Sequence, residues 1–426
     1  MACRRVRRAL VIAGLVVVVL ALGLAIAVPL VLPVVRFPRP GGPHEVGTVS
    51  RYWIDPARAE IFTPDPADWR ELMVQVWYPA ELGSSPQRAP YLVDAARVTA
   101  GLSRVFGAPA LAFRGLRDAV TNAVEGAPVA SAKSRYPVLV HLEGLGGFRQ
   151  VSTFQVEELV SHGYVVVALD QPFTSVSVTF PDGRAVDMSS VEEVRPLVRQ
   201  SYLPAEPAPV LHGQTLDHGI IPFLGEDVSF VLDRLEELDG DGTADPLAGR
   251  LDLTRVGLVG TSLGGLVAAE ASRIDSRVRA TLIMDAAVPL QTAAAGLDQP
   301  TMWLTRPAYT MRNERARTGG WSEVEIAAHH STMRATFEGL RAPGYFVQVP
   351  DISHLDFTDV PSWSPAFRWL RVTGPRDGEY AHRVINDYSL NFFDRHLKGK
   401  EGSLLDGPSA THPDVTIDLH HPSINP

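Results

Sequence analysis

The chain has 426 residues, 45% of them hydrophobic, and a formal net charge of −9. Its length and apolar content allow a large core, and its acidic balance excludes nucleic acid as a partner, because phosphate binding needs clustered Lys and Arg. The single cysteine, Cys3, excludes both a disulfide framework and a thiolate metal site.

The chain begins with a basic stub, residues 1–8, carrying Arg4, Arg5, Arg7 and Arg8. Residues 9–35 follow as an uncharged, almost wholly apolar run. At a rise of about 1.5 Å per residue this run can cross a hydrocarbon core about 30 Å thick. The positive-inside rule keeps the arginines cytoplasmic and puts the rest of the chain outside the cell membrane. The competing reading is a signal peptide cleaved near Ala25-Ile26-Ala27, which would release a secreted protein. Residues 36–43, Pro- and Gly-rich, read as a linker.

A catalytic body is expected over residues 44–400. Met73 to Tyr78, β-branched and aromatic and closed by Pro79, reads as an early strand. Ala95 to Phe106 is helix-like. Tyr136 to Leu142 reads as a strand, Phe154 to His162 as an amphipathic helix stopped by Gly163, and Tyr164 to Asp170 as a second strand. Near-continuous apolar runs of this kind are typical of buried parallel strands joined by helical crossovers. Between the first two lies Glu143-Gly144-Leu145-Gly146-Gly147-Phe148-Arg149. Arg149 stands where the third glycine of a G-x-G-x-x-G fingerprint belongs, so no dinucleotide cofactor is expected. Residues 171–223 lose periodicity and are rich in Pro, Ser and Thr, as suits a cap over an active site. A helix is expected over Asp227 to Leu238. Asp239-Gly240-Asp241-Gly242 lacks the glutamate of a calcium loop, Arg250 standing at its place, and reads as a turn.

Val256 to Ala269 contains Gly260-Thr261-Ser262-Leu263-Gly264, an apolar strand that breaks at Gly-x-Ser-x-Gly and resumes as an alanine-rich helix. That context is a nucleophile elbow, which lifts the serine hydroxyl above the sheet. A serine there needs a histidine to take its proton and a carboxylate to orient the histidine, in the chain order Ser, acid, His. The strand Val278 to Met284 ends in Asp285. The strand Thr301 to Leu304 ends in Thr305-Arg306, with no acid. The strand Tyr345 to Val349 leads to His354. Catalytic groups gather at the carboxyl ends of such strands, so Ser262, Asp285 and His354 form the expected triad. His329 and His330 are expected at the surface of a helix. His141 falls inside a strand and His162 at a helix end, both structural positions, and Asp351 and Asp356 lie too near His354 in sequence to hold its far nitrogen. The expected oxyanion donors are the N–H groups of Leu145 and Leu263. No metal is expected. Residues 401–426 read as a poorly packed tail in which His412, His420 and His421 are solvated.

The Glu143 to Arg149 turn, the Val156 to Tyr164 helix, the Gly-Thr-Ser-Leu-Gly-Gly elbow, the strand end at Asp285 and Ser353-His354-Leu355-Asp356-Phe357-Thr358-Asp359 together resemble the platelet-activating-factor acetylhydrolase family. The likeness spans roughly residues 46–400. It implies an α/β-hydrolase fold, with a mostly parallel sheet, helices on both faces and a cap insertion. It also implies calcium-independent hydrolysis of short or oxidised acyl esters, including the sn-2 position of phospholipids. The family's acid falls on Asp285 and its oxyanion pair on Leu145 and Leu263. One departure is Glu143, where many relatives carry His before the Gly-Leu-Gly of the turn. An inward-facing carboxylate would oppose the oxyanion, unless Arg149 neutralises it. Two other functions fit the same residues: a broader carboxylesterase, polyesterase or lactone hydrolase, and a membrane-tethered binding protein without turnover. No protein partner is indicated.

Overall fold

A computed structural model describes residues 32–83, 86–240 and 245–422. Eleven strands form the main sheet: β1 (Glu45–Ala59), β2 (Trp69–Ala80), β3 (Arg88–Pro90), β4 (Val120–Glu125), β5 (Tyr136–Leu142), β6 (Val165–Asp170), β11 (Leu251–Thr261), β12 (Val278–Met284), β13 (Thr301–Thr305), β14 (Gly344–Gln348) and β15 (Thr416–His420). Four short strands, β7 (Ser177–Thr179), β8 (Ala185–Asp187), β9 (Val210–Leu211) and β10 (Gln214–Thr215), make two hairpins within the expected cap. The sheet order is β15-β14-β13-β12-β11-β5-β6-β2-β1-β4-β3. The six strands from β14 to β6 run parallel, and antiparallel pairs extend both flanks.

The central strands have unbroken apolar runs because both their faces are covered. Val138, Val140 and Leu142 pack with Leu224, Val228, Val231 and Leu235 of the helix Ile221–Gly240 and with Leu266 and Val267 of the helix Leu263–Ile274. Leu139 and Val166 point the other way, onto Phe154 and Val156 of the helix Thr153–Ser161 and onto Val384, Tyr388 and Phe392 of the helix Gly378–Lys398. This is an α/β-hydrolase-like sheet with helices on both faces. After β5 the chain turns to β6 on one side, whereas β11 to β14 build the other, so the topological switch lies between β5 and β11. A crevice outside the carboxyl ends of the strands is expected there.

Two ends of the chain differ from their sequence reading. Most of the expected membrane span, Ala9 to Val31, lies outside the described residues, and among the described residues no helix is long and apolar enough to cross a membrane. Leu32 to Val35 are not helical. Val35 is buried among Tyr91, Phe113 and Leu116 and its N–H donates to the Gly115 carbonyl, so these residues are part of the globular body. Phe37, placed in the expected linker, packs on Tyr91 with ring centroids 4.8 Å apart. At the other end, the expected loose tail supplies β15, an antiparallel edge strand on β14, and buries Leu405 and Val415. His412 is buried against Asp387 and His420 bonds the Leu340 carbonyl. Alternation in Thr416-Ile417-Asp418-Leu419 was a strand signal hidden by the polar composition around it.

Candidate active site

The elbow forms where β11 meets the helix Leu263–Ile274. Ser262 sits between them at φ 56° and ψ −118°, a strained region for a residue with a Cβ, and its N–H is held by the Met284 carbonyl at 3.0 Å. The glycines around it are required by space. A Cβ on Gly260 would lie 2.1 Å from the Gly264 carbonyl oxygen, and one on Gly264 would lie 2.1 Å from that of Leu142.

Asp285 follows β12 at φ 45°, a second strained residue on the neighbouring strand end. Its carboxylate is fully buried. Oδ2 accepts from His354 Nδ1 at 2.6 Å and from Arg306 Nε at 2.9 Å, and Oδ1 accepts from Thr305 Oγ1 at 3.1 Å. Burial by itself would push this carboxyl up, but Arg306 and His354 outweigh it and hold it well below the usual carboxylate range. Arg306 is buried too and bonds Glu314 with its other arm, so the guanidinium is a fixed cation between two acids. Sequence reading passed over Thr305 and Arg306 because they are not acids. The available signal was an arginine at the mouth of a strand adjacent to the one ending in Asp285.

His354 opens a short 3-10 turn after β14. Asp356 closes that turn by accepting from the N–H groups of Ser353 and Gly374 at 2.7 and 2.9 Å. Asp359 accepts from Thr153 and Phe154 N–H and from the Tyr91 hydroxyl, capping the helix that follows the Gly-rich turn. The His354 side chain is 20% exposed, and its ring lines a cleft of about 80 Å³ together with Ser262, Gly144 and Leu145. The structure thus brings Asp285 and His354, 69 residues apart, into a hydrogen bond, and places His354 and Ser262 in one cleft.

The Gly144 to Gly147 turn runs past the serine. A Cβ on Gly144 would lie 3.2 Å from Ser262 Cβ, so any side chain there would crowd the serine. Gly146 has φ 74° and donates to the Thr174 carbonyl. Among the described residues, no backbone acceptor takes the N–H of Leu145 or Leu263. Glu143 does not face the cleft. It is buried, with Oε1 3.0 Å from His141 Nδ1 and Oε2 accepting from Ser152 Oγ at 3.3 Å. Burial disfavours a charged ring at His141, but Glu143 outweighs it and raises that histidine. Neutralisation by Arg149, one of two ways in which Glu143 could be kept from the oxyanion, is not used, since Arg149 pairs with Asp170; the other, a carboxylate that faces away, is the one found.

A second cavity, about 240 Å³, opens on the other side of Ser262 and is roofed by the helix Val191–Arg199 of the cap. His329 lines it. Contrary to its expected surface position, His329 is fully buried, 4.0 Å from Asp285 Oδ1 and against Trp321. Burial lowers its pKa to about 3, so the ring is neutral near pH 7.

Chemically, the arrangement offers a hydroxyl on a strained turn, an imidazole fixed by a carboxylate, and free backbone donors beside the hydroxyl. Those are the parts of acyl transfer. The comparisons agree. Residues 31–200 match the family model "Platelet-activating factor acetylhydrolase, isoform II". A platelet-activating factor acetylhydrolase of Gallus gallus is 22% identical over 399 residues, covering 87% of each chain. A "probable 1-alkyl-2-acetylglycerophosphocholine esterase" of Arthroderma benhamiae is 22% identical over 66% of each chain. Among solved structures, a ferulic acid esterase from Streptomyces cinnamoneus superposes with a TM-score of 0.67 at 28% identity, over 90% of this chain and 99% of that one. The chain is therefore a relative of the platelet-activating factor acetylhydrolases, and it is a serine-type carboxylic ester hydrolase acting on acyl esters.

Proposed function

We propose that Ser262, His354 and Asp285 are the nucleophile, general base and orienting acid of this hydrolase, and that its substrates are esters of small or truncated acyl groups, including the sn-2 position of phospholipids. The observation that carries the reading is His354, whose Nδ1 is fixed to Asp285 at 2.6 Å while its ring lines the same cleft as Ser262. In the first step His354 Nε2 takes the Ser262 proton as Oγ attacks the ester carbonyl. The oxyanion is held by the N–H groups of Leu145 and Leu263. His354 then gives the proton to the departing alkoxide, leaving an acyl-serine. In the second step it deprotonates a water that releases the acid. Asp285 stays ionised throughout, as its depressed pKa requires. The two modest cavities beside Ser262, about 240 and 80 Å³, favour small substituents, since pockets for drug-sized ligands span roughly 300–1,000 Å³.

A broader carboxylesterase activity is the second reading, favoured by the ferulic acid esterase likeness. The test is hydrolysis of 4-nitrophenyl acetate and of short- and long-chain phosphatidylcholines by the wild type and Ser262→Ala. The variant should lose all measurable turnover, and the wild type should prefer short acyl chains. Turnover by Ser262→Ala, or a preference for long chains, contradicts the reading.

The apolar run of residues 9–31, preceded by Arg4, Arg5, Arg7 and Arg8, supports a further part of the proposal: it tethers the hydrolase to the cell membrane, with the catalytic body outside. Alkaline carbonate extraction of the full chain from membranes tests this; release into the supernatant rules it out.

A further inference from the structure

The 240 Å³ cavity under the cap helix is not a purely apolar slot. Val198, Leu263 and Ala286 form part of its wall, but five charged or titratable side chains of the cap segment and the helix Glu323–Glu338 also line it: Arg195, Arg199, Tyr202, Glu325 and His329. The charges do not balance. Both oxygens of Glu325 are in use, Oε1 accepting from Arg195 at 2.9 Å and Oε2 from the Ser322 N–H at 2.7 Å. Arg199 approaches Glu325 only to 3.5 Å; its side chain is 41% exposed, but its Nε is buried and finds no hydrogen-bond partner. His329 is fully buried and neither of its ring nitrogens has a partner. Two guanidinium groups thus share one carboxylate, and a buried neutral imidazole with a free N–H lies beside them. Leaving such donors unmatched is costly unless a ligand matches them. Asp285 also lines this cavity, but Arg306 and His354 already occupy its charge.

Which half of an ester enters is set by proton transfer. His354 must protonate the departing alkoxide, so the leaving group lies on the side of the cleft that His354 lines. The larger cavity, which touches Ser262 and Leu263 but not His354, is left for the acyl chain.

We propose that this cavity is an acyl subsite that selects compact acyl chains ending in a carboxylate, with Arg199 supplying the counter-charge and His329 a hydrogen bond. The proposal rests on the ester-hydrolase reading above and adds to it the chemistry of the acyl tail. Charge-assisted hydrogen bonds are worth enough to change selectivity by about tenfold to hundredfold.

The test compares kcat/KM of the full chain for 4-nitrophenyl hydrogen adipate and 4-nitrophenyl hexanoate, which differ in a terminal carboxylate, after subtraction of their spontaneous hydrolysis. The wild type should favour the adipate by about tenfold or more. That ratio should fall towards one in Arg199→Gln and in His329→Leu, with partial recovery in His329→Gln, which keeps a donor. General damage lowers both rates and leaves the ratio unmoved. A wild-type ratio of one or less, or a ratio unchanged in either Arg199→Gln or His329→Leu, overturns the subsite. Hexanoate hydrolysis itself reports separately on the serine chemistry, so failure of the subsite and failure of the hydrolase reading are distinguishable.

Discussion

Replacing Asp285 by Asn removes one buried charge from the proposed triad with little change of shape. In the familiar serine protease case the amide turns its NH2 to the histidine, the wrong tautomer results, and turnover falls about 10⁴-fold. Here the orientation of the amide is set by Arg306. Arg306 Nε and His354 Nδ1 both donate to Oδ2, at 2.9 and 2.6 Å, so the amide oxygen must take that place and the NH2 must face Thr305 Oγ1. His354 keeps its tautomer, and the loss is electrostatic. With the two charge centres about 4 Å apart and an effective dielectric near 20, the carboxylate stabilises the imidazolium by about 4 kcal/mol, or about 10³ in rate. Arg306 retains Glu314 as its counter-ion, so the fold should survive. The assay is kcat/KM on 4-nitrophenyl acetate, with a thermal melt as the control for folding. A folded Asp285→Asn enzyme within about tenfold of wild type refutes the argument, since no charge at Asp285 would then be needed.

Glu143→Gln should change kcat/KM for neutral esters by less than about fivefold, because the carboxylate faces His141 and not the oxyanion turn, while stability falls by about 1–3 kcal/mol as the buried charge beside His141 and the charged acceptor of Ser152 are lost. A rise in turnover of tenfold or more would show that the carboxylate does oppose the oxyanion. His382, stacked on Phe154 at 3.7 Å and bonded to the Thr358 carbonyl, has its pKa lowered to about 4 by burial. The fold therefore favours the neutral ring, so the contribution of His382 is complete above the unfolded pKa of about 6.5 and is lost as pH falls from there towards 4. His382→Gln should lose less stability than wild type between pH 6.5 and 4.5, by up to about 2.7 kcal/mol in denaturant titrations. Equal losses in the two proteins refute the buried neutral ring.

The sheet was legible wherever a strand was buried on both faces, because the polar residues of β5, β6, β12 and β13 stand at or near strand ends (Asp170, Arg279, Thr301 and Thr305), leaving only His141 and Thr281 inside the apolar runs. The long strand β1 was missed: it has exposed or half-buried Ser50, Arg51 and Arg58, so its apolar residues form no continuous run. The elbow was legible because its glycines, its strand and its helix are contiguous in sequence, although Gly264 is required in part by the Leu142 carbonyl of the neighbouring strand. The meeting of Asp285 and His354 could be anticipated from strand order, since each follows a strand of the parallel set. What surrounds them could not. Arg306 meets Asp285, Glu325 meets Arg195, and His329 enters the cavity through contacts between elements far apart in sequence, and nothing local in an arginine or histidine announces its partner. Glu143 shows the same limit from the other side: position beside Gly144 did not reveal that its side chain points at His141, two residues back along the strand.

The most direct test of the account is the site of reaction with a fluorophosphonate. Incubation of the protein with the reagent, followed by intact mass and peptide mapping, should show a single adduct on Ser262, slowed by at least a hundredfold in a His354→Ala variant. An adduct on another serine, or labelling of Ser262 at an unchanged rate without His354, would contradict the assignment of a histidine-activated nucleophile.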